Sequence, residues 1–403
     1  MNRRCFFKNV TLETLCLQSV LVTSLRAEDA SKASSFKDTA PGKDWLARWE
    51  TNITGDARNR YCDKEMGEEL GWMVSPFLDG FYYGYLTTRD PKWVEMLVDW
   101  ADSCIRRGAN EPDGFMGWPK GDGGGGESKE YSADSLLGEA MMLRPIVLMA
   151  ASIRQNPALN DKYGGKARSY IELAEKIFEK WDSRDCWREV KDGGVWVVPA
   201  FGVDRQTGKW SAGYADRKTT GFTNPDNKEN HIARWMVAMH DVTKKPVYRE
   251  RAEKWFRVMK SRMKARADAK YYVWNYWEPA GPWDYKADGD TKHWVGVHPN
   301  GGYYNIDVEG IVCAYEHGLV FAKEDIARLI ATNRDFMWNR KIEDAKFQRL
   351  DGEQSDPRWK NSPGVLWEAL VPYDDTLRNI FVANNNPSGW GGLSATPRFL
   401  AGK

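Results

Sequence analysis

"TKKPVYRERAEKWFRVMKS", residues 243–261, reads as a turn followed by an amphipathic helix with aromatics towards its end. The same grammar returns in "TTRDPKWVEMLVDWADSC" at 87–104 and in "FAKEDIARLIATNRDFMW" at 321–338. "NDKYGGKARSYIELAEKIFEKW", 160–181, is a fourth copy with a longer lead-in. The copies recur every ~75–80 residues, a spacing expected of helical-hairpin arrays. Each is rich in Lys, Arg and Glu and suits an outer position; the more apolar, Gly-containing helix of each pair suits an inner one. Helix-period apolar positions mark 65–88, 91–108, 131–155, 163–182, 227–243, 246–266, 303–320, 323–339 and 363–384. Closing such hairpins into a ring predicts an all-α fold, an (α/α)n toroid or barrel with a central cleft.

The connections 109–130, 184–226, 268–302 and 340–362 exceed the ~12–15 residues usual inside a compact domain. They are rich in Gly and Trp, which predicts a built rim with a few short strands. "YYVWNYW" at 271–277 alternates like one of these.

The chain of 403 residues has a formal charge of +1, which lacks the positive balance of a nucleic-acid binder. Its 20 Trp and 17 Tyr are the compositional surplus, and flat apolar rings pair well with the C–H faces of sugars. The N-terminus carries Arg3, Arg4 and Lys8, then "LCLQSVLVTSL", then Ala27 at a possible cleavage point. This is the pattern of a secretion signal over 1–27. It predicts a mature domain over 28–403, exported to the periplasm or medium, and no later stretch has the run of apolar residues of a membrane span. Four cysteines remain, Cys62, Cys104, Cys186 and Cys313, without CxxC or zinc spacing. One disulfide or free thiols are both open.

"GDGGGGES" contains GxGxxG at Gly121, Gly123 and Gly126, but no apolar strand precedes it, so a rim loop is expected. GxSxG, HExxH and GxxxxGK[ST] are absent from the sequence, and no cofactor or metal is called. For paired-carboxylate glycoside hydrolysis, Asp79, Asp134, Glu139, Asp307 and Glu309 sit on or beside inner helices, although no motif singles one out.

Chemistry of another kind is suggested by "NKENHIARWM", 227–236. On a helix, Asn227 and His231 are one turn apart, as are Asn230 and Arg234. Ile232, Trp235, Met236 and Met239 form a separate apolar stripe. Amide, imidazole and guanidinium suit an anion, and "KHWVGVHPNGGYYNIDVEGIV", 292–312, adds His293, His298 and a tyrosine pair. Together they supply what β-elimination from a uronic acid needs: neutralisation of the carboxylate and a proton-transferring Tyr.

"ENH" at 229–231, followed by "GGYYN" at 301–305, resembles the α/α-toroid alginate lyases, most of all polysaccharide lyase family 38, which acts on alginate or glucuronan. The resemblance implies a lyase on an anionic polysaccharide, with Asn230 as neutraliser, His231 as auxiliary base and Tyr303 or Tyr304 as acid/base. Tyr303 shares its helix face with Asp307, Gly310, Ala314 and His317; Tyr304 falls on an apolar stripe. One departure is that 286–302 offers only Lys286 and Lys292 where related lyases carry an Arg, so Arg234 or His298 takes that role. Asn227 joins the substrate-binding set, with Trp274, Trp277, Trp283 and Trp294 as stacking platforms. A hydrolase of the same toroid shape, or a non-catalytic glycan-binding protein, is the alternative.

Overall fold

A computed structural model describes residues 36–121, 130–211, 220–266, 270–353 and 363–403. The expected leader, 1–27, and the Gly run beyond Gly121 lie outside them. Eleven α-helices are described: α1 Ala40–Asp56, α2 Ser75–Thr88, α3 Lys92–Arg106, α4 Leu136–Gln155, α5 Pro157–Ser183, α6 Asp226–Thr243, α7 Pro246–Arg262, α8 Gly302–Glu316, α9 Lys323–Ala331, α10 Asp375–Asn384 and α11 Gly392–Leu400. A 3-10 segment, Glu368–Tyr373, stands where the fifth inner helix belongs.

Local chemistry sets the starts. Ser135 caps α4 by accepting from Gly138 N, and Asn156 both ends α4 and caps α5 by accepting from Leu159 N. Pro157 and Pro246 occupy first helical positions, where a missing N–H costs nothing. Pro372 and the Asp374 cap split the expected 363–384 helix into the 3-10 segment and α10.

The hairpins α2/α3, α4/α5, α6/α7 and α8/α9 stand side by side, and α2, α4, α6 and α8 pack in sequence as an inner ring. The 3-10 segment packs on α8 and α10, and α11 packs on α2, which closes the circle. This is the (α/α) toroid, with six hairpin-like units. The last unit pairs α11 with α1, from opposite ends of the chain. Neither helix is legible as part of a sequential hairpin. Their seam is tight: Trp49 Nε1 donates to Leu393 O at 2.9 Å and Thr87 Oγ1 to Pro397 O at 2.8 Å. A Cβ on Gly80 would stand 2.6 Å from Leu393 O, so only glycine lets α2 approach α11 this closely.

Helix α4 is apolar and long enough to cross a membrane by composition, but 78% of that window is buried inside the protein. A helix apolar on most sides is what an inner position between α2, α5 and α6 demands. The described strands are two- to four-residue antiparallel pairs in the connections. Strand Tyr271–Val273, paired with Lys264–Arg266, covers only the first part of the expected 271–277. Cys62, Cys104, Cys186 and Cys313 are all free thiols.

Candidate active site

Paired residues advance together along neighbouring inner helices. Gly80 lies against Leu393 and Thr87 against Pro397 on α2 and α11, while Asn230 meets Asp307 and Arg234 meets Glu309 on α6 and α8. These inner helices therefore run parallel, and the long connections that precede them gather at one mouth.

Below that mouth, the inner wall carries a network of charges. Arg144 of α4 donates to Asp79 of α2 at 2.8 Å and to Tyr83 Oη at 3.4 Å. Arg234 of α6 donates to Glu309 Oε2 at 2.6 Å, and Arg398 of α11 donates to Glu309 Oε1 at 2.9 Å. The second nitrogen of Arg398 lies 4.0 Å from Glu368 Oε2, so one guanidinium bridges two carboxyl groups. Asn305 Oδ1 accepts from Glu368 N at 3.0 Å and fixes that residue at the head of the 3-10 segment. Glu368 keeps 31% of its side chain open.

The two carboxyls are held in opposite states. Burial alone would raise Glu309, but Arg398 and Arg234 outweigh it and bring its pKa down to about 2. Enclosure pushes Glu368 up to about 7; Arg398 opposes this and Glu309 adds to it. At neutral pH one carboxyl is ionised and its neighbour is near half-protonated, the split that acid–base pairs use.

The other sequence candidates for paired carboxylates are elsewhere. Asp134 and Glu139 are buried against Lys180 at 2.8 and 2.6 Å. Asp307 is buried, accepting from Asn230 Nδ2 at 2.8 Å and Trp274 Nε1 at 2.9 Å. Asp79 is engaged with Arg144.

The polar stripe of α6 divides between two surroundings. Asn230 is fully buried and ties three helices, donating to Asp307 and accepting from Trp255 Nε1 at 2.9 Å. A Cβ on Gly310 would stand 2.6 Å from its Oδ1, so α8 approaches α6 through that glycine. Asn227 is also buried, 1% exposed. His231 is half-buried, edge-on to Trp72 with ring centres 5.8 Å apart. Burial, then Arg234, bring its pKa down to about 3, so it is neutral and a weak base. Nearer the mouth, Lys228 pairs with Glu68 at 2.9 Å. Arg234 and Lys228 are thus each already matched by a carboxylate.

Asn230→Ala tests this placement directly. Leaving Asp307 and Trp255 short of a partner should lower stability by about 1–3 kcal/mol in chemical denaturation. Turnover per folded molecule should stay within a few-fold of the parent; a collapse of turnover at unchanged stability would return Asn230 to the chemistry.

The tyrosines and tryptophans separate likewise. Tyr304 is 1% exposed, and its hydroxyl accepts from His298 N at 2.7 Å. Tyr303 is half-buried beside Tyr276 and His298, at ring distances of 5.2 and 4.7 Å. His298 is itself buried and held down at a pKa of about 4 by burial and then His293. Trp274 and Trp277 are core, donating to Asp307 Oδ2 at 2.9 Å and Thr223 O at 2.7 Å. Burial removes both from the role of platform. Trp283 is half-buried and donates to Thr223 Oγ1 at 3.0 Å. Trp294 is 45% exposed and lies nearly parallel to Tyr276, with ring centres 5.9 Å apart. Of the four proposed platforms, it alone offers a broad free face.

Sequence reading missed Glu368, Arg398 and Arg144. The available signal is weak: "LWEAL" at 366–370 puts a Glu at the head of a segment with the period of an ordinary helix.

No known family profile matches the chain, and no curated protein does. Solved structures similar to it include those of the α-1,6-mannanase GH76A of Salegentibacter sp. HEL1_6. That enzyme alone matches at 11% identity and TM-score 0.47, covering 89% of this chain and 98% of that one. An inactive double Asp-to-Asn variant with α-1,6-mannotriose matches at 10% and 0.48, covering 89% and 100%. A double Asp-to-Ala variant with α-1,6-mannotetrose gives 10% and 0.49, covering 89% and 99%. The likeness carries no site residue across.

The lyase expectation is corrected here. These similar structures are mannanases, hydrolases rather than alginate lyases. In this chain, the intended carboxylate neutraliser, Asn230, is consumed by a buried carboxyl of the protein, and Arg234 by another.

Proposed function

We propose that the chain is a glycoside hydrolase acting on a neutral polysaccharide or oligosaccharide in the toroid cleft. Glu368 is the general acid and Glu309 the ionised partner. The carrying observation is the pair of carboxyls bridged by Arg398, one lowered to about 2 and the other raised to about 7. Glycosidic cleavage by two carboxyl groups asks for such a division: one protonates the leaving oxygen while the other supports the positive sugar ring or directs water. With two guanidinium groups on its oxygens, Glu309 suits electrostatic support and water orientation better than covalent attack.

A neutral substrate is supported by charge balance. Arg144, Arg234 and Arg398 on the inner wall face Asp79, Glu309 and Glu368, so an entering anion would have to displace a carboxylate. The test is incubation with a panel of neutral glycans, α-mannans among them, beside alginate and glucuronan. New reducing ends from a neutral glycan, without ultraviolet absorbance, support the proposal. An unsaturated product, or no cleavage of any neutral glycan, sinks it.

Trp294 serves in this proposal as a stacking face at the mouth. Trp294→Ala should raise KM for long chains about two- to tenfold, in line with ~0.5–1.5 kcal/mol for an aromatic contact. kcat and melting temperature should hardly move, since Trp294 is exposed. An unchanged KM with every chain length would remove it from the substrate path.

A further inference from the structure

Two side chains of α8 and its C-cap, Cys313 and His317, play no part in the proposed chemistry. Glu309, Cys313 and His317 follow one another at four-residue steps along α8 and its C-cap, so they share one face. Cys313 is partly exposed. Its Sγ lies 3.9 Å from His317 Nδ1, and that nitrogen is 2.7 Å from Cys313 O. The other ring nitrogen, Nε2, is 2.9 Å from Asp241 Oδ2 near the end of α6. Both nitrogens therefore face acceptors, an arrangement that suits a doubly protonated ring. The C-terminal end of α8 also favours positive charge. Burial opposes ionisation, but Asp241 and the Cys313 sulfur outweigh it and push His317 up to about 11.

We propose that Cys313 is a modifiable thiol, open to small disulfides and other soft electrophiles, with the His317 imidazolium supplying the charge that draws its sulfur into reaction. The remaining charged and titratable groups around the pair are Asp241, His240 and Lys244 of α6 and its cap, Arg249 of α7, Arg144 of α4 and Tyr82 of α2. The described cysteines elsewhere are different. Cys62, Cys104 and Cys186 are buried, and burial pushes each thiol up to about 12.

The step is a thiol–disulfide exchange. The Cys313 thiol gives its proton to water, because both ring nitrogens of the imidazolium already carry protons. The sulfur then attacks one sulfur of the reagent; the new S–S bond forms as the old one breaks, and the other half leaves as a thiolate. His317 is thus a fixed charge and not the base of a nucleophilic triad. The inference does not depend on the proposed hydrolase activity.

The experiment treats the full chain with an aromatic disulfide that releases a coloured thiolate, and locates the adduct by peptide mass. Cys313 should react at least ~tenfold faster than Cys62, Cys104 or Cys186, and His317→Gln should slow it about tenfold at pH 6.5. Equal rates at Cys313 and the three buried cysteines of the parent, or an unchanged Cys313 rate in His317→Gln, would overturn the proposal. Should His317→Gln expose Cys62, Cys104 and Cys186 as well, Asp241→Asn decides: a slower Cys313 supports the assignment, and an unchanged rate overturns it.

Discussion

Glu368→Gln should reduce kcat on the cleaved glycan by 10²–10⁴-fold, the range a positioned general acid contributes, while substrate still binds. Glutamine keeps the shape of the side chain and its backbone anchor to Asn305, so a folded, binding-competent protein is expected. The pH profile is the sharper reading. Glu368 must be protonated to act and sits at about 7, so the parent rate should fall as pH rises through 7. Glu309 must be ionised and sits at about 2, so the acid limb should come only in strongly acidic solution. In Glu368→Gln the alkaline limb should vanish along with the main rate. A variant with parental kcat, or one that keeps the limb near 7, removes Glu368 from the chemistry.

Lys180→Met should cost about 3–5 kcal/mol of folding stability, the usual penalty for breaking a buried ion cluster from one side. Lys180 is fully buried at the end of α5, donating to Asp134 at 2.8 Å, Glu139 at 2.6 Å and Met116 O at 2.9 Å. Trp181 Nε1 adds a bond to the second oxygen of Glu139 at 2.6 Å, and Arg184 reaches Asp134 at 3.4 Å. Burial works against the Lys180 charge, yet Glu139 and Asp134 raise its pKa above the usual value. Asp134 is lowered: burial opposes this, and Lys180 prevails. Its contribution is therefore present above the ordinary Asp range and is lost as pH falls through the lowered value. Removing the ammonium leaves two carboxyls in one dry site, so the deficit should shrink in acid, where they take up protons. Urea denaturation at pH 7 and pH 4 reads both effects. A loss below 1 kcal/mol at pH 7 would mean that the cluster is dispensable.

The repeat of 87–104, 160–181, 243–261 and 321–338 was legible because an outer helix has one wet face and one dry one, and that contrast is written in its period. Inner helices are harder. Each is packed against an outer partner and two inner neighbours, so a polar stripe can face another helix instead of the cleft. The helical wheel groups Asn230 with Arg234 correctly, but it cannot tell that Asn230 meets Asp307 across α8 while Arg234 meets Glu309. The tryptophans show the same limit. Their surplus predicts aromatic structure, but Trp274 and Trp277 went to the core and Trp294 to the surface of one connection. Glu368 and Arg398 lay beyond reach for another reason. They come together only because α11 closes the ring, and α11 pairs with a helix at the other end of the chain.

That closure also orders events in time. The bond from Trp49 to Leu393 O spans 344 positions of the chain, so it cannot form until residue 393 has been made. A nascent chain can assemble its four sequential hairpins one by one, but it holds an open arc until α11 arrives. Arg398, which bridges the two carboxyls, belongs to α11. A polypeptide cut before α11 would keep its four sequential hairpins and lack the Arg398 bridge, so the charge balance around Glu309 and Glu368 depends on α11 being in place.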